Sequence, residues 1–368
     1  MSDLTSILSI VPNLPPTISG VGDYALCLAQ QLYQDFGIKT HFIVGDCNWQ
    51  NTGTIGDFPI EKLNDRSASA LQTALLNHSP TTPVLLHYVN YGYAKRGCPW
   101  WLIEALEQWK KQTPNTQLVT MFHELIATEP PWRSGFWLSP VHRHLASQTA
   151  CLSDRCITSA EQYAKTLQTL SQQKHVDILS LPVFSGIAEP QTVLPLSARK
   201  KRLVIFGQAG NRRRVYRHSQ SVLHQICQRL QIEEILDIGV PTGLKLSAIG
   251  TVPIVALGKR PTAEISEILS TSIAGFLHYY SGRLAKSTIF AAYCAHGLLP
   301  ICHRPHPDSD GLQAGQQYWT LDLGVSSSNA LQTVADSGYA WYQTHQLSTQ
   351  AETFADCFAA RSLDNSNI

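Results

Sequence analysis

The sequence predicts an α/β protein made of two doubly wound, Rossmann-like domains facing a cleft. Three observations carry that expectation. Short apolar runs alternate with segments of helical period along most of the chain, as in βα units around parallel sheets. The alternation lapses once, after Pro182, and then resumes. A chain of 368 residues with 43% hydrophobic side chains also exceeds one ordinary core and suits two domains of roughly 150 to 200 residues each.

In the first half, strands are expected at SILSIV (6–11), KTHFIVG (39–45), PVLLHYV (83–89), QLVTMF (117–122), RCITS (155–159) and VDILSL (176–181). Helical patterns fall between most of them, at about 22–35, 67–77, 100–111, 138–150 and 159–172. In the first helix Leu26, Ala29, Leu32, Tyr33 and Phe36 make one apolar stripe. The stretch VFSGIAEPQTVLPLSARKK (183–201) mixes Gly, Pro and Ser without period and reads as a linker. A second series follows, with strands at RLVIFG (202–207), EEILDIG (233–239), TVPIVALG (251–258), AGFLHYY (274–280) and LLPICH (298–303). Its helices are expected near 217–230, 262–272 and 285–296. The end, about 328–361, is helical and holds Tyr339, Trp341, Tyr342 and Phe354, more than the second domain needs to close itself, so it is expected to pack back across both. The expected boundaries are 1–184, a linker at 185–201, 202–327, and the helical segment 328–368.

A net charge of +1 with 15% charged residues provides no global field toward nucleic acid or an anionic membrane, so any anion must be bound locally. The nine cysteines are scattered, with no CxxC, which fits a reduced cytoplasmic setting. The start has no basic n-region, and no stretch approaches the ~18 apolar residues of a spanning helix. A soluble protein is expected.

Taken alone, GVGDYA (20–25) satisfies the dinucleotide pattern G-x-G-x-x-G/A, with Asp46 placed to bind a ribose. The intervening PNLPPTIS separates the strand from Gly20, however, and Pro12, Pro15 and Pro16 make it stiff and extended, unlike a tight dinucleotide turn. Gly20 and Gly22 without β-carbons, ahead of a helix with unpaired N–H groups, suit a phosphate or sugar, or else simply permit a turn that Asp23 supports.

This proline-containing loop followed by GVGDYALCLA resembles the N-terminal lobe of GT-B glycosyltransferases, in the large retaining family with sucrose, glycogen and mannosyl transferring members. LAKSTIFAAYCAHGLLPI (284–301) is similar to that family's ExFGxxxxEAMAxGxPV segment, and RLVIFGQAGNRRR (202–214) falls where the family has its strand and phosphate-binding GRxxxxKG. The chain departs from the family at both glutamates of the first motif, which are Leu284 and Ala292 here, and at the first arginine of the clamp, which is Gln208. The clamp's lysine position holds Arg214, beside Arg212 and Arg213.

The resemblance implies a GT-B fold and transfer of a hexosyl-type sugar from a nucleotide diphosphate donor to a hydroxyl acceptor, with no cofactor and no metal. It places the diphosphate at Arg212, Arg214, Gly282, Lys286 and Ser287, with Gly20 and Gly22 closing over the donor. Lys286-Ser287 stands where the family's backbone approaches the phosphates, and an ammonium with a hydroxyl at a helix start suits that task. Lys286 as a solvated first-turn residue, and the arginines as a solvated basic turn, are the plain alternatives.

His123 and Glu124 follow QLVTMF at the carboxyl edge of the first sheet. The family commonly has a histidine there, which implies a positioning role for His123, with Glu124 as a general base; the alternative is a histidine satisfied by Glu124 and backbone. HYVNYGYAKRGCPWW (87–101) offers Tyr91, Tyr93 and Arg96 for acceptor recognition, or as packing anchors.

HRPHP (303–307) and HRH (142–144) make no metal set, and Asp308-Ser309-Asp310 reads as a solvated turn. The expected function is therefore a metal-independent glycosyltransferase. A glycosyltransferase-like protein that binds a nucleotide sugar, glycan or protein without catalysis is the alternative, motivated by the missing glutamates. A dinucleotide-dependent oxidoreductase is a third possibility.

Overall fold

The computed structural model describes residues 4–17, 19–51, 53–126, 132, 134–303, 310–324 and 327–364. The chain divides into two units, Met1–Pro182 with Leu347–Ile368 and Val183–Gln346.

In unit 1 the chain runs through β1 (Ser6–Val11), α1 (Gly20–Phe36), β2 (Lys39–Val44), β3 (Gly53–Ile55), β4 (Phe58–Lys62), α2 (Ala68–Leu76) and β5 (Val84–Tyr88). It continues through α3 (Asn90–Tyr93), α4 (Trp100–Gln112), β6 (Leu118–Phe122), α5 (Ser134–Leu152), β7 (Arg155–Thr158), α6 (Glu161–Leu170) and β8 (Leu179–Ser180). The strands form one sheet in the order β3-β4-β2-β1-β5-β6-β7-β8. It is parallel except for the β3-β4 hairpin.

Helices cover both faces, which is why VLLHY of β5 and LVTMF of β6 are buried along their whole length. Successive residues of a strand serve opposite faces. Phe42 and Val44 of β2 pack with Ala25 and Ala29 of α1, while Ile43 joins Leu71 of α2 and Leu102 of α4.

Unit 2 contains β9 (Lys200–Phe206), α7 (Ala209–His218), α8 (Gln220–Leu230), β10 (Glu234–Ile238), β11 (Ala248–Ile249), β12 (Val252–Gly258), α9 (Thr262–Thr271) and β13 (Ser272–His278). A 3₁₀ turn at Ser281–Lys286, α10 (Thr288–Ala295), β14 (Leu299–His303) and α11 (Ser328–Gln343) follow. The order β11-β12-β10-β9-β13-β14 reverses direction at β9, so the topological switch point lies between β9 and β13.

Several elements differ from expectation. β3 and β4 form where no strand is expected, because GTI and FPIEK are short and broken by Gly and Pro. The expected strand 176–181 shrinks to the two residues of β8. The Arg212–Arg217 run, expected as a turn, is helical: arginine is a good helix former, and Val215 and Tyr216 provide a buried face. The stretch expected as a linker is packed within unit 2, where Arg199 is buried and donates to Leu194 O (2.6 and 2.9 Å) and Ser272 O (3.3 Å).

The terminal segment is two helices. α11 belongs to unit 2, whereas α12 (Leu347–Asp364) belongs to unit 1 and packs on α1. Tyr24 Oη donates to Gln350 Oε1 (2.7 Å), Gln350 Nε2 to Pro182 O (2.6 Å), and Gln117 Nε2 to Cys357 O (2.7 Å).

Candidate functional site

Doubly wound folds place ligands at the loops leaving the carboxyl ends of their strands. After β1 the chain passes through Pro12 to Thr17 before α1 begins, and Ser19 caps that helix by accepting from Gly22 N (3.4 Å). A β-carbon on Gly22 would lie 2.5 Å from Asn13 O and 3.2 Å from Leu14 Cα. The missing side chain therefore lets the loop lie against its own helix, which corrects the expected donor-binding role of Gly22. Gly20 differs: it is exposed, with open space where a β-carbon would be.

His123 follows β6 and is buried. Its N–H donates to Tyr88 O (2.9 Å), and its Nε2 shares a 3.0 Å hydrogen bond with Nδ1 of His87 on β5. The Tyr24 ring stands edge-on to it at 5.0 Å. Burial pushes His87 down to about 3, so it stays neutral at ordinary pH. His87 Nε2 is buried without a hydrogen-bond partner among the described residues. An orphaned lone pair is less costly there than an orphaned N–H, which favours His87 Nδ1–H as donor and His123 Nε2 as acceptor. Neighbouring rings hold His123 in place, while Glu124 is exposed.

Of the residues expected to meet an acceptor, Tyr91 is exposed with its ring edge-on to His142 (5.5 Å), and the Arg96 side chain is exposed. Tyr93 is a correction. It is fully buried, its hydroxyl lies 3.1 Å from both Ile10 O and His87 O, and it pins α3 beneath β1 and β5.

On unit 2, β9 turns into α7 through Gly207, whose φ of +117° belongs to glycine. Gln208 makes no side-chain cap, so the first N–H groups of α7, at Ala209 and Gly210, have no intrahelical acceptor at the switch point. Sequence reasoning missed these groups, although the strand-then-glycine spelling IFGQAG carries their signal. Arg214 is exposed on α7 and makes no ion pair among the described residues.

Arg212 is the third correction. Only 2% exposed, its guanidinium pairs with Asp237 of β10 and donates to Val240 O and, through Nε, to Gly207 O (3.0 Å). It ties helix to sheet instead of presenting charge to a donor. Beside it a cavity of about 440 Å³ opens at the ends of β10 and β12, lined by Thr242, Lys245, Leu246 and Ile254 among others. A cavity of similar size in unit 1, about 450 Å³, lies at the amino ends of β6 and β7 and so away from the ligand-bearing loops.

Across the switch point, the 3₁₀ turn carries half-buried Gly282 and Lys286 and exposed Arg283 into α10. Ser287 is the fourth correction: it is buried, and its hydroxyl caps α10 by accepting from Phe290 N (3.2 Å), so it serves the helix. Leu284 and Ala292, at the aligned glutamate positions, are fully buried in the core.

A group of rings not foreseen from sequence stands at the same edge. His278, ending β13, bonds Ser219 Oγ through Nδ1 (2.7 Å) and lies 5.9 Å from the His218 ring and 5.4 Å from that of His303. Their only sequence signal is that two of them end strands. Most of HRPHP and the Asp308-Ser309-Asp310 turn fall outside the described residues.

No protein-family model matches the sequence, and no curated protein does. Solved structures match along nearly the whole chain. An alpha-glucosyltransferase in complex with UDP superimposes with a TM-score of 0.58 at 10% identity, covering 97% of this chain and 99% of that one. Anabaena HepE in complex with UDP and glucose gives 0.60 at 9% identity, covering 97% and 100%. A structure named as a putative UDP-N-acetylglucosamine 2-epimerase from Listeria monocytogenes gives 0.60 at 13% identity, covering 99% and 98%. The fold is GT-B glycosyltransferase-like. Of the three departures from the resembling family, Gln208 precedes α7, Leu284 lies in the 3₁₀ turn and Ala292 lies in α10, all in unit 2.

Proposed function

We propose that the chain is a glycosyltransferase that moves a hexosyl-type sugar from a nucleotide diphosphate donor to a hydroxyl acceptor without a metal ion. The observation that carries this reading is the full-length likeness to GT-B structures, two of which are described in complex with UDP. On unit 2, Arg214, Lys286, Gly282 and the uncapped N–H groups of α7 offer the diphosphate positive charge and donors. As the glycosidic bond lengthens, negative charge grows on the leaving group, and preorganised cations and N–H groups stabilise that charge most. On unit 1, His123 orients a sugar hydroxyl, Glu124 accepts the acceptor's proton, Gly20 leaves room beside a helix start, and Tyr91 with Arg96 takes the acceptor.

A second reading, a nucleotide-sugar binder without transfer, is favoured by one observation: Leu284 and Ala292 are buried and apolar where the resembling family has glutamates. The discriminating experiment incubates the purified chain with a panel of nucleotide sugars and with glycan, lipid-extract and DNA acceptors, following nucleotide diphosphate release and sugar identity. DNA belongs in the panel because one similar structure is an alpha-glucosyltransferase with a 13-mer DNA. Acceptor-stimulated release supports transfer, calorimetric binding of nucleotide with no release supports the second reading, and an isomerised free donor points to epimerisation. Failure to bind any nucleotide diphosphate overturns all three.

A further inference from the structure

We propose that unit 1 carries a divalent transition-metal site, suited to zinc, formed by His41, Glu61 and His78. Each offers one ligand atom, and these atoms all lie within 4.8 Å of one another. The convergence follows from the fold. His41 and Ile43 share one face of β2, and Glu61 of β4 stands opposite Ile43 in the parallel register, so His41 and Glu61 point toward the same side of the sheet. α2 covers that side, and the residue after its C-cap Asn77 is His78, which brings the third group over the other two.

The local geometry is that of ligands more than of a hydrogen-bonded cluster. His78 Nε2 is 3.8 Å from Glu61 Oε2, too long for a hydrogen bond, and it is buried with no hydrogen-bond partner among the described residues. The His41 and His78 rings meet edge-on with centroids 4.4 Å apart. Two ligands of one tetrahedral zinc ion stand about 3.4 Å apart, from metal-ligand distances of about 2.1 Å. Small side-chain rotations bring the present separations to that span.

A cavity of about 180 Å³ lined by His41, His78, Lys39 and Thr82 opens beside the two histidines, with room for a water or anion as fourth ligand. Two imidazoles and one carboxylate suit zinc and its first-row neighbours, whereas magnesium and calcium prefer all-oxygen sets. His41 lies in the amino-terminal half of β2, away from the carboxyl edge, so the site does not depend on the proposed transfer reaction.

The test uses the full chain, freed of metal by chelation. It is titrated with Co²⁺ while the visible d–d bands are followed, and with Zn²⁺ by calorimetry, for wild type, Glu61→Gln and His78→Ala. The expected result is one equivalent bound by wild type, weakened at least tenfold in each variant, with a zinc-dependent rise in unfolding temperature that His78→Ala loses. Glu61→Gln is nearly isosteric on a partly exposed side chain, so a matching far-ultraviolet dichroism spectrum separates lost ligation from lost folding. No stoichiometric binding by wild type overturns the proposal. Equal binding by all three proteins also overturns it, because the ion then sits on other histidines or cysteines.

Discussion

Replacing Arg212 with methionine separates a structural arginine from a donor-binding one. The guanidinium is 2% exposed and Asp237 5%, so removing the cation leaves a carboxylate buried without its partner and frees the carbonyls of Gly207 and Val240. Breaking a buried pair from one side costs about 3–5 kcal/mol. At about 2–4 °C per kcal/mol for a domain of this size, the unit 2 transition falls by roughly 6–20 °C. Scanning calorimetry reads that shift directly. The double variant Arg212→Met with Asp237→Asn recovers part of it, because the stranded charge is removed, and this recovery distinguishes charge desolvation from loss of packing. A fall below about 2 °C, on the same scale, accompanied by loss of UDP binding, would refute the structural assignment and return Arg212 to the donor seat.

Three further outcomes follow from the same geometry. Gly22→Ala places a β-carbon 2.5 Å from Asn13 O and costs roughly 1–3 kcal/mol by urea unfolding, whereas Gly20→Ala, with open space around it, leaves stability within about 0.5 kcal/mol; equal effects would discredit the loop-packing account. Lys286→Ala weakens UDP binding by calorimetry about tenfold or more, as expected for loss of a charge-assisted hydrogen bond; unchanged affinity removes Lys286 from the donor seat. His87 is held down to about 3, and His296 and His345 to about 4, by burial. Below the unfolded value of about 6.5 the unfolded chain binds protons that these folded imidazoles refuse, so stability falls with pH by up to about 1.4 kcal/mol per unit for each. Urea midpoints that stay flat between about pH 7 and pH 5 would contradict this.

The parallel sheets were legible because buried strands of such sheets are continuous apolar runs: SILSIV and PVLLHYV lie within a residue of the strands they form. What depends on tertiary pairing was not. The β3-β4 hairpin has neither length nor apolar pattern, and α7 is disguised by arginines whose one buried member, Arg212, is accounted for only by Asp237 on another strand. At the site, residue type was readable and orientation was not. Ser287 and Lys286 are adjacent in sequence, yet one hydroxyl turns inward to cap α10 while the neighbouring lysine stays partly exposed. Tyr93 and Tyr91 stand two apart in one short turn, and only the exposed one can meet a ligand. The His87–His123 bond joins two strands, so no local spacing announces it.

The return of α12 to unit 1 sets an order of assembly on the ribosome. Unit 2 is contiguous and complete once Gln346 has been made, whereas unit 1, begun first, is finished last. Until Gln350 and Cys357 emerge, the Tyr24 hydroxyl and the Gln117 amide lack the partners they have in the finished fold, and the side of α1 that α12 covers stays open. A stop codon shortly after position 346 would therefore leave its own unit intact and damage the one encoded at the opposite end of the message.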